Sequence, residues 1–492
     1  MIQSIHKPYN LLIFNLKIPI KRLLFLFLIL CSFNLFSQSF NFSDLEKINS
    51  NLNDNYRPKI CLVDGDPLII YTSNVPEKKI FLNRKKDGLW QGEQQISPDS
   101  INFQMSNRIG PALASYGEIV YVAYVIESTP RKIVYQKSID GGITFSSLVT
   151  VFELNENYAL GLDMIILPDG NPVFAFIYND SLWSNIQQVL IRSYDYGNTF
   201  TDLISIDESP CECCKPSLIK GDGSYYGVSF RENDSNIRVF KTRISSVTDA
   251  NFNSPVLTDH TNWQSNVCPS SPSDGFLVND TLYNVWMSSP DDLSKVYMSK
   301  TNMLNGEILE SFEVDFTPGS NSQNHPCIGG NKILQLVAWE ETRASKKDIL
   351  AKLIYNGQSF PSFSLTNGDS ISHMESVDVI FDNQSNLFHV VYRNKEQSSV
   401  MYRYLEPMFL KIDSPPLNTL KLHPNPSQNK IFISGNYDEH SNYVIFNSLG
   451  VPVKKGIFDG EVSIFNLTEG YYVIQILNSS KYYRLPFLKV KE

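Results

Sequence analysis

The sequence is short of positive charge. Its 42 lysines and arginines stand against 51 aspartates and glutamates, a formal net charge of −9, and no Lys/Arg run breaks the acidic balance. A nucleic-acid backbone is gripped by clustered cations, so nucleic acid is excluded as a partner. Helical patterning is also missing: no stretch of useful length repeats its apolar residues every 3.6 positions, which argues against a TIM barrel or a doubly wound sheet. Long apolar runs are confined to one place near the N-terminus.

There, Lys17, Lys21 and Arg22 precede the apolar run 23–30, extended through Phe33, Leu35 and Phe36 and ended by Ser37-Gln38-Ser39. This order of basic, apolar and small-polar regions predicts a secretory signal over residues 1–37, handled by the Sec machinery. Cys31, Ser32 and Asn34 interrupt the run and no stop-transfer pattern follows, so no transmembrane span is expected in the mature chain. Leu30 is too bulky before Cys31 for a lipoprotein signal. Removing the segment leaves Cys61, Cys211, Cys213, Cys214, Cys268 and Cys327, an even set that favours disulfides in an exported protein.

What is present is a repeat. Between residues 56 and 405 a segment often containing proline leads into an apolar run. A turn at Gly, Asp or Asn follows, then a second run rich in Tyr, Val, Phe and Trp, and a third alternating strand. The second runs, at 67–71, 119–125, 172–178, 225–230, 281–287, 334–339 and 387–392, recur about every 53 residues. Units of this length built from three or four short strands predict an all-β chain: a β-propeller over residues 38–410. One such sheet cannot bury both faces, whereas a ring of them can, leaving few open edges. Seven blades are expected, with six as the alternative if one repeat is irregular. The last repeat lacks an outer strand. Residues 39–45 resemble the outer-strand starts at 145–148 and 200–203, so the N-terminal segment is expected to close the ring. Ser414-Pro415-Pro416 marks a stiff linker over 411–419, and residues 420–492 pattern as a small Ig-like β-sandwich.

Two segments match S-x-D-x-G-x-T-F in phase with the repeat: Ser138, Asp140, Gly142, Thr144 and Phe145, then Ser193, Asp195, Gly197, Thr199 and Phe200. The aspartate suits the turn's amides and hydroxyls, the glycine its tight backbone, and the phenylalanine a plug between blades. These segments resemble the Asp-box, or BNR repeat, of sialidase-like propellers; Lys86-Asp87-Gly88-Leu89-Trp90 is a degenerate relative. The resemblance implies that these turns lie on the face away from any active site. The opposite mouth would then be lined by loops leading into first strands (Arg57, Arg108, the 211–214 loop, Trp263, Asn266, Cys268, His325, His373) and leaving second strands (Glu127, Arg231, Glu232, Glu341, Arg343, Arg393). Three arginines at equivalent positions, Arg231, Arg343 and Arg393, are similar to the cluster by which sialidases hold a sugar carboxylate; with Arg108 and Glu341 they form the ligand-binding candidates. The bland alternative is rim charge or ion pairing between blades. The family also implies a Tyr nucleophile activated by Glu and an Asp acid/base, but no residue can be assigned to these roles. Tyr56-Arg57-Pro58 only partly matches the family's N-terminal arginine motif.

Cys211-Glu212-Cys213-Cys214 and Cys268 fall in nearly the same phase of adjacent repeats. The residues allow two disulfides between loops, or a soft-metal site for zinc or copper; no cofactor is assigned. Cys61 and Cys327 are expected to be buried thiols. At the C-terminus, Leu422-His423-Pro424-Asn425-Pro426, Phe446-Asn447-Ser448-Leu449-Gly450, Leu467-Thr468-Glu469-Gly470-Tyr471 and the final strand through Lys489 are together similar to the type A sorting domain of the Bacteroidetes type IX secretion system. That implies passage to the outside or the outer-membrane surface, with Gly450 and Gly470 in hairpin turns. For the whole chain the expectation is a propeller that binds an extracellular glycan or protein without catalysis. A sialidase-type exo-glycosidase and a metal-dependent function at the cysteines are the alternatives.

Overall fold

Apolar runs of five to eight residues bounded by Gly, Asp and Asn form strands here because each is buried on both faces, between the sheet's neighbours. In Asp66–Ser73, residues Leu68, Ile69, Ile70 and Tyr71 are all fully buried. The structure, a computed structural model, describes residues 40–491 except 51–53, 75–76, 100, 107–108, 208–209, 316–320, 344–345, 367–372, 408–419, 435–440, 448–451 and 479–480. The expected signal (1–37), the linker (411–419), Arg108 and Gly450 lie outside the described residues. Every element among those described is a strand.

One antiparallel unit recurs. Its first strands are Asn55–Val63, Ala112–Tyr116, Tyr158–Ile166, Ser217–Gly221, Asp274–Val278, Ser322–Gly330 and Met374–Asp382, each followed by a second and a third strand paired in sequence order. Each first strand packs against the first strands of the preceding and following units, and Met374–Asp382 packs back on Asn55–Val63, so these strands line a closed circle. Hydrophobic clusters sit between consecutive units rather than within one: Ile70, Val122 and Val134 share one, Ala123, Phe174 and Ile191 another. At one junction the sheets fuse, Lys220 and Gly221 pairing in parallel with Phe276 and Leu277.

The last unit takes its outer strand from the N-terminus. Phe40, Asn41 and Phe42 pair with Pro407, Glu406 and Leu405, and Glu46 and Lys47 with Tyr402 and Met401. The same segment reaches the first unit, where Trp90 Nε1 donates to Glu46 Oε2 at 2.6 Å and Asn83 Nδ2 to the Ile48 carbonyl at 3.1 Å.

Residues 408–492 form a separate compact unit. Lys421–His423, Lys430–Ser434 and Glu461–Ser463 make one sheet; Pro452–Phe458, Ser441–Asn447, Gly470–Asn478 and Lys481–Lys489 make the other. Ile431, Ile445, Phe458, Ile464, Ile474 and Phe487 are in the core between them. The Pro424-Asn425-Pro426 segment docks the final strand: Asn425 Oδ1 accepts the Leu488 amide at 2.9 Å, and Asn425 Nδ2 donates to the Pro486 carbonyl at 3.2 Å. Lys489 is buried, its Nζ donating to the Val490 carbonyl. Gly470 opens a strand opposite Lys489 instead of occupying a hairpin turn, because the turn has already ended by Glu469.

Candidate functional site

Two kinds of local geometry set the two ends of the strands apart. At the end of the third strand, Ser138 Oγ donates to Asp140 Oδ1 (2.7 Å) and accepts the Gly142 amide (2.8 Å), while Asp140 accepts the Thr144 amide (2.9 Å) and hydroxyl (2.6 Å). Ser193, Asp195, Gly197 and Thr199 repeat the pattern. The Thr144 hydroxyl and amide together hold the Asp140 carboxyl down, to about 2. Phe145 packs at the rim of the cluster between the first two units, and Phe200 against Tyr135 and Phe174 of the second and third. All these groups are satisfied within the turn or the core and leave little for a ligand.

At the opposite end, where first strands begin, the ladder slips. Registers shift between Tyr56 and Lys59, Leu160 and Asp163, Asn324 and Cys327, and Glu375 and Asp378. In each bulge one residue takes a left-handed backbone: Arg57 (φ 45°), Gly161 (65°), His325 (49°) and Ser376 (57°). Bulges re-aim side chains at functional rims. Gly161 is required: a Cβ there would stand 2.4 Å from Cβ of Lys215. The outcome is a cavity of about 130 Å³ among the first strands, lined by Arg57, Lys59, Lys215 and His325 and by Asp163, Asp274, Glu340 and Asp378.

Most of these charges are committed. Asp378 accepts the Ile60 amide (3.0 Å) and pairs with Lys59 (2.7 Å); Asp163 accepts the Leu218 amide (2.8 Å) and pairs with Lys215 (3.1 Å); Asp274 accepts the Ile328 amide (2.9 Å). The three aspartates thus clasp neighbouring units: seven to one, three to four and five to six. Glu340 accepts the Ser376 amide and pairs with Lys347 at 2.8 Å. Burial pushes the Asp274 carboxyl up, to about 6. Arg57 is the exception. No ion pair within 4 Å holds its guanidinium among the described residues; Asp378, Asp163 and Glu340 act on it only from farther off, and burial brings it down to about 10, still a full cation at neutral pH.

The arginines expected at the mouth are placed elsewhere. Arg231 is fully buried, donating to the Met287 carbonyl at 2.6 Å and stacked on Phe240. Arg393 is buried between Glu375 and Asp54 and lies over Tyr56. Glu341 is buried and accepts from Arg343 Nε at 2.7 Å; Arg343 itself is half exposed. None of these four lines the cavity. They sit on second strands, one strand out from the axis, where Arg231 and Arg393 tie neighbouring units together and Glu341 and Arg343 pair within one unit. Several cavity residues arise from the bulges, which leave little trace in sequence: Pro58 and Pro326 stand in two of them, whereas those at Gly161 and Ser376 hold no proline.

Beside the cavity, Cys213 and Cys268 form a disulfide with Cα atoms 6.4 Å apart, joining adjacent units. Cys61, Cys211, Cys214 and Cys327 are buried free thiols.

Residues 421–485 match the family described as secretion system C-terminal sorting domain. No curated protein matches the chain. Among solved structures, the chain is similar to Trypanosoma rangeli sialidase bound to the inhibitor DANA (9% identity, 92% of this chain and 90% of that one, TM-score 0.45). It is also similar to an ulvan lyase described as a new polysaccharide lyase family (11%, 75% and 99%, 0.48), and to a Dyadobacter fermentans protein of unknown function (12%, 64% and 98%, 0.45). No helix among the described residues is long and apolar enough to cross a membrane. The chain is an all-β, propeller-like protein that ends in a type IX secretion sorting domain and is exported to the outside or the cell surface.

Proposed function

We propose that this is an exported propeller, led out by a signal over residues 1–37 and built on Asp-box turns at 138–145 and 193–200, that binds the acidic end of an extracellular glycan without cleaving it. The observation that carries this reading is Arg57: a guanidinium with no ion pair among the described residues, in a small central cavity where most other charges are paired. A guanidinium fork matches a carboxylate. Asp274 and Glu340 beside it suit sugar hydroxyls, which donate to carboxylates. A cavity of this size admits a charged group and the atoms next to it, not a polymer in its groove. Binding is favoured over hydrolysis because the lining, among the described residues, holds no tyrosine. Tyr56, the nearest in sequence, is bonded to Asp54 instead.

The test is calorimetric titration of the full chain with sialyl- and uronyl-terminated oligosaccharides. Arg57→Ala is expected to weaken binding at least about 30-fold, the cost of removing one side of a desolvated charge pair, with Arg57→Lys intermediate and circular dichroism unchanged. Equal affinity for neutral and acidic glycans, or no effect of Arg57→Ala, rejects the assignment. Turnover of a fluorogenic sialoside by the same preparation would favour the glycosidase reading.

A pH dependence follows from Asp274. Its carboxyl, raised to about 6, gains a proton as pH falls from 7.5 to 5.5 and removes one negative charge from the cavity. A glycan carboxylate stays ionised over that range, so affinity is expected to rise toward pH 5.5. Asp274→Asn should flatten that slope, leaving any contribution from His325. An affinity that falls with acidification would contradict the placement of the anion beside Asp274.

A further inference from the structure

The four cysteines at the junction of the fourth and fifth units form a tighter group than loop stapling requires. Cys211 Sγ stands 3.0 Å from Cys214 Sγ and 3.3 Å from Cys268 Sγ, and all four sulfurs, Cys213 included, lie within 4.8 Å of one another. Sulfurs bound at about 2.3 Å to one tetrahedral ion stand roughly 3.8 Å apart, so the group is already at the scale of a single metal shell. Two disulfides would need only two close pairs.

The surroundings point to charge on sulfur. Arg238 Nη1 donates to Cys211 Sγ at 3.0 Å, and Ser270 Oγ donates to Cys213 Sγ at 3.1 Å. Arg231 lies close enough to act on both Cys211 and Cys214. Disulfide sulfurs and neutral thiols are weak acceptors and do not call for a buried guanidinium donor, whereas thiolates do. Two guanidiniums match the two surplus negative charges left when four thiolates bind one divalent ion. The site is also fixed in place: the Cys211 amide donates to the Arg231 carbonyl at 2.9 Å, and Gln188 Nε2 to the Cys214 carbonyl at 3.1 Å.

We propose that Cys211, Cys213, Cys214 and Cys268 are the ligands of one thiophilic metal ion of the zinc class, and that the Cys213–Cys268 bond is the oxidised alternative to this tetrathiolate state. Conversion is a two-electron step. An external thiol reductant gives two electrons and two protons to the Cys213–Cys268 bond, becoming a disulfide itself; the metal then displaces the thiol protons of all four cysteines. Ser270 and Lys215, which line the central cavity, are bonded or adjacent to ligand cysteines, so the ion would brace one wall of that cavity.

The test uses the full chain, reduced anaerobically and titrated with cobalt(II), then zinc(II). One cobalt per chain is expected, with the visible ligand-field bands of a tetrahedral tetrathiolate, displaced by one equivalent of zinc. X-ray absorption on the zinc-loaded wild type should show four sulfurs at about 2.3 Å, a reading independent of any variant's folding. Cys214→Ser and Cys268→Ser should each lose the tetrathiolate spectrum, whereas Cys61→Ser and Cys327→Ser should keep it. Reduced protein that takes up no cobalt, or a zinc shell of two sulfurs with nitrogen or oxygen, overturns the proposal.

Discussion

Deleting residues 40–48 is expected to lower the melting temperature of the chain by roughly 6 °C or more. The segment is a tie between the last unit and the first, not a peripheral strand. On the last unit, the Ser43 and Ile48 amides donate to the Tyr404 and Val400 carbonyls at 3.0 and 2.8 Å, and Arg403 Nη2 donates to the Ser43 carbonyl at 3.1 Å. On the first, Glu46 takes both Trp90 Nε1 and Lys85, the latter at 2.7 Å. Ile48 is buried in the cluster shared by Ile60, Tyr71, Val391 and Tyr402. Burial of one such side chain contributes about 1.5–3 kcal/mol and each hydrogen bond about 1 kcal/mol, so a loss on the order of 5 kcal/mol is the conservative expectation. Deletion also uncovers the edge of Ser399–Pro407, which should show as aggregation on heating. A melt that superimposes on that of the intact chain would mean that the circle holds without this strand.

The second large effect concerns export. A chain ending at residue 419 should accumulate inside the cell envelope and fall to background in the medium and on the surface, measured by immunoblotting fractions of a host that carries the type IX machinery. The truncated protein should remain folded, because the core of Ile431, Ile445, Phe458 and Ile474 shares no member with the propeller clusters. A subtler variant, Asn425→Ala, removes both hydrogen bonds that pin the Pro-Asn-Pro segment to the final strand. It should reduce export without affecting the propeller's melt. Full release of the truncated chain would show that the C-terminal unit is not the export signal.

The circular arrangement was readable because each unit leaves the same imprint: a fully apolar second run, buried on both sides, at a nearly constant interval. The N-terminal strand was readable from Phe40 and its neighbours, which repeat the polarity of other outer strands. The nearness of the 211–214 loop to Cys268 followed from their shared phase, but which cysteine pairs did not: one bond forms, Cys213–Cys268, where two were open. The cavity was readable only in part: Arg57 and His325 stand among the entry residues expected at the mouth, but Lys59, Lys215, Asp163, Asp274, Glu340 and Asp378 do not, for a definite reason. Strand alternation assumes unbroken register, and the bulges at Arg57, Gly161, His325 and Ser376 break it where the site is built. Arg231 and Arg393 misled because each follows the apolar run of a second strand as a mouth residue would, whereas the strands continue to Asp234 and Asn394. Their backbone is one strand removed from the axis, and the space around them is filled by Phe240 and Tyr56.

Pairing of Phe40–Phe42 with Ser399–Pro407 joins the first-made strand of the propeller to the last-made one. A ribosome or a translocon delivers these strands in order, so no partial chain can form the finished circle. A product cut short anywhere before residue 399 keeps an unmatched edge at both ends. Closure of the circle therefore waits for residues 399–407, and a product cut short before them is distinguishable from a closed one by its exposed borders.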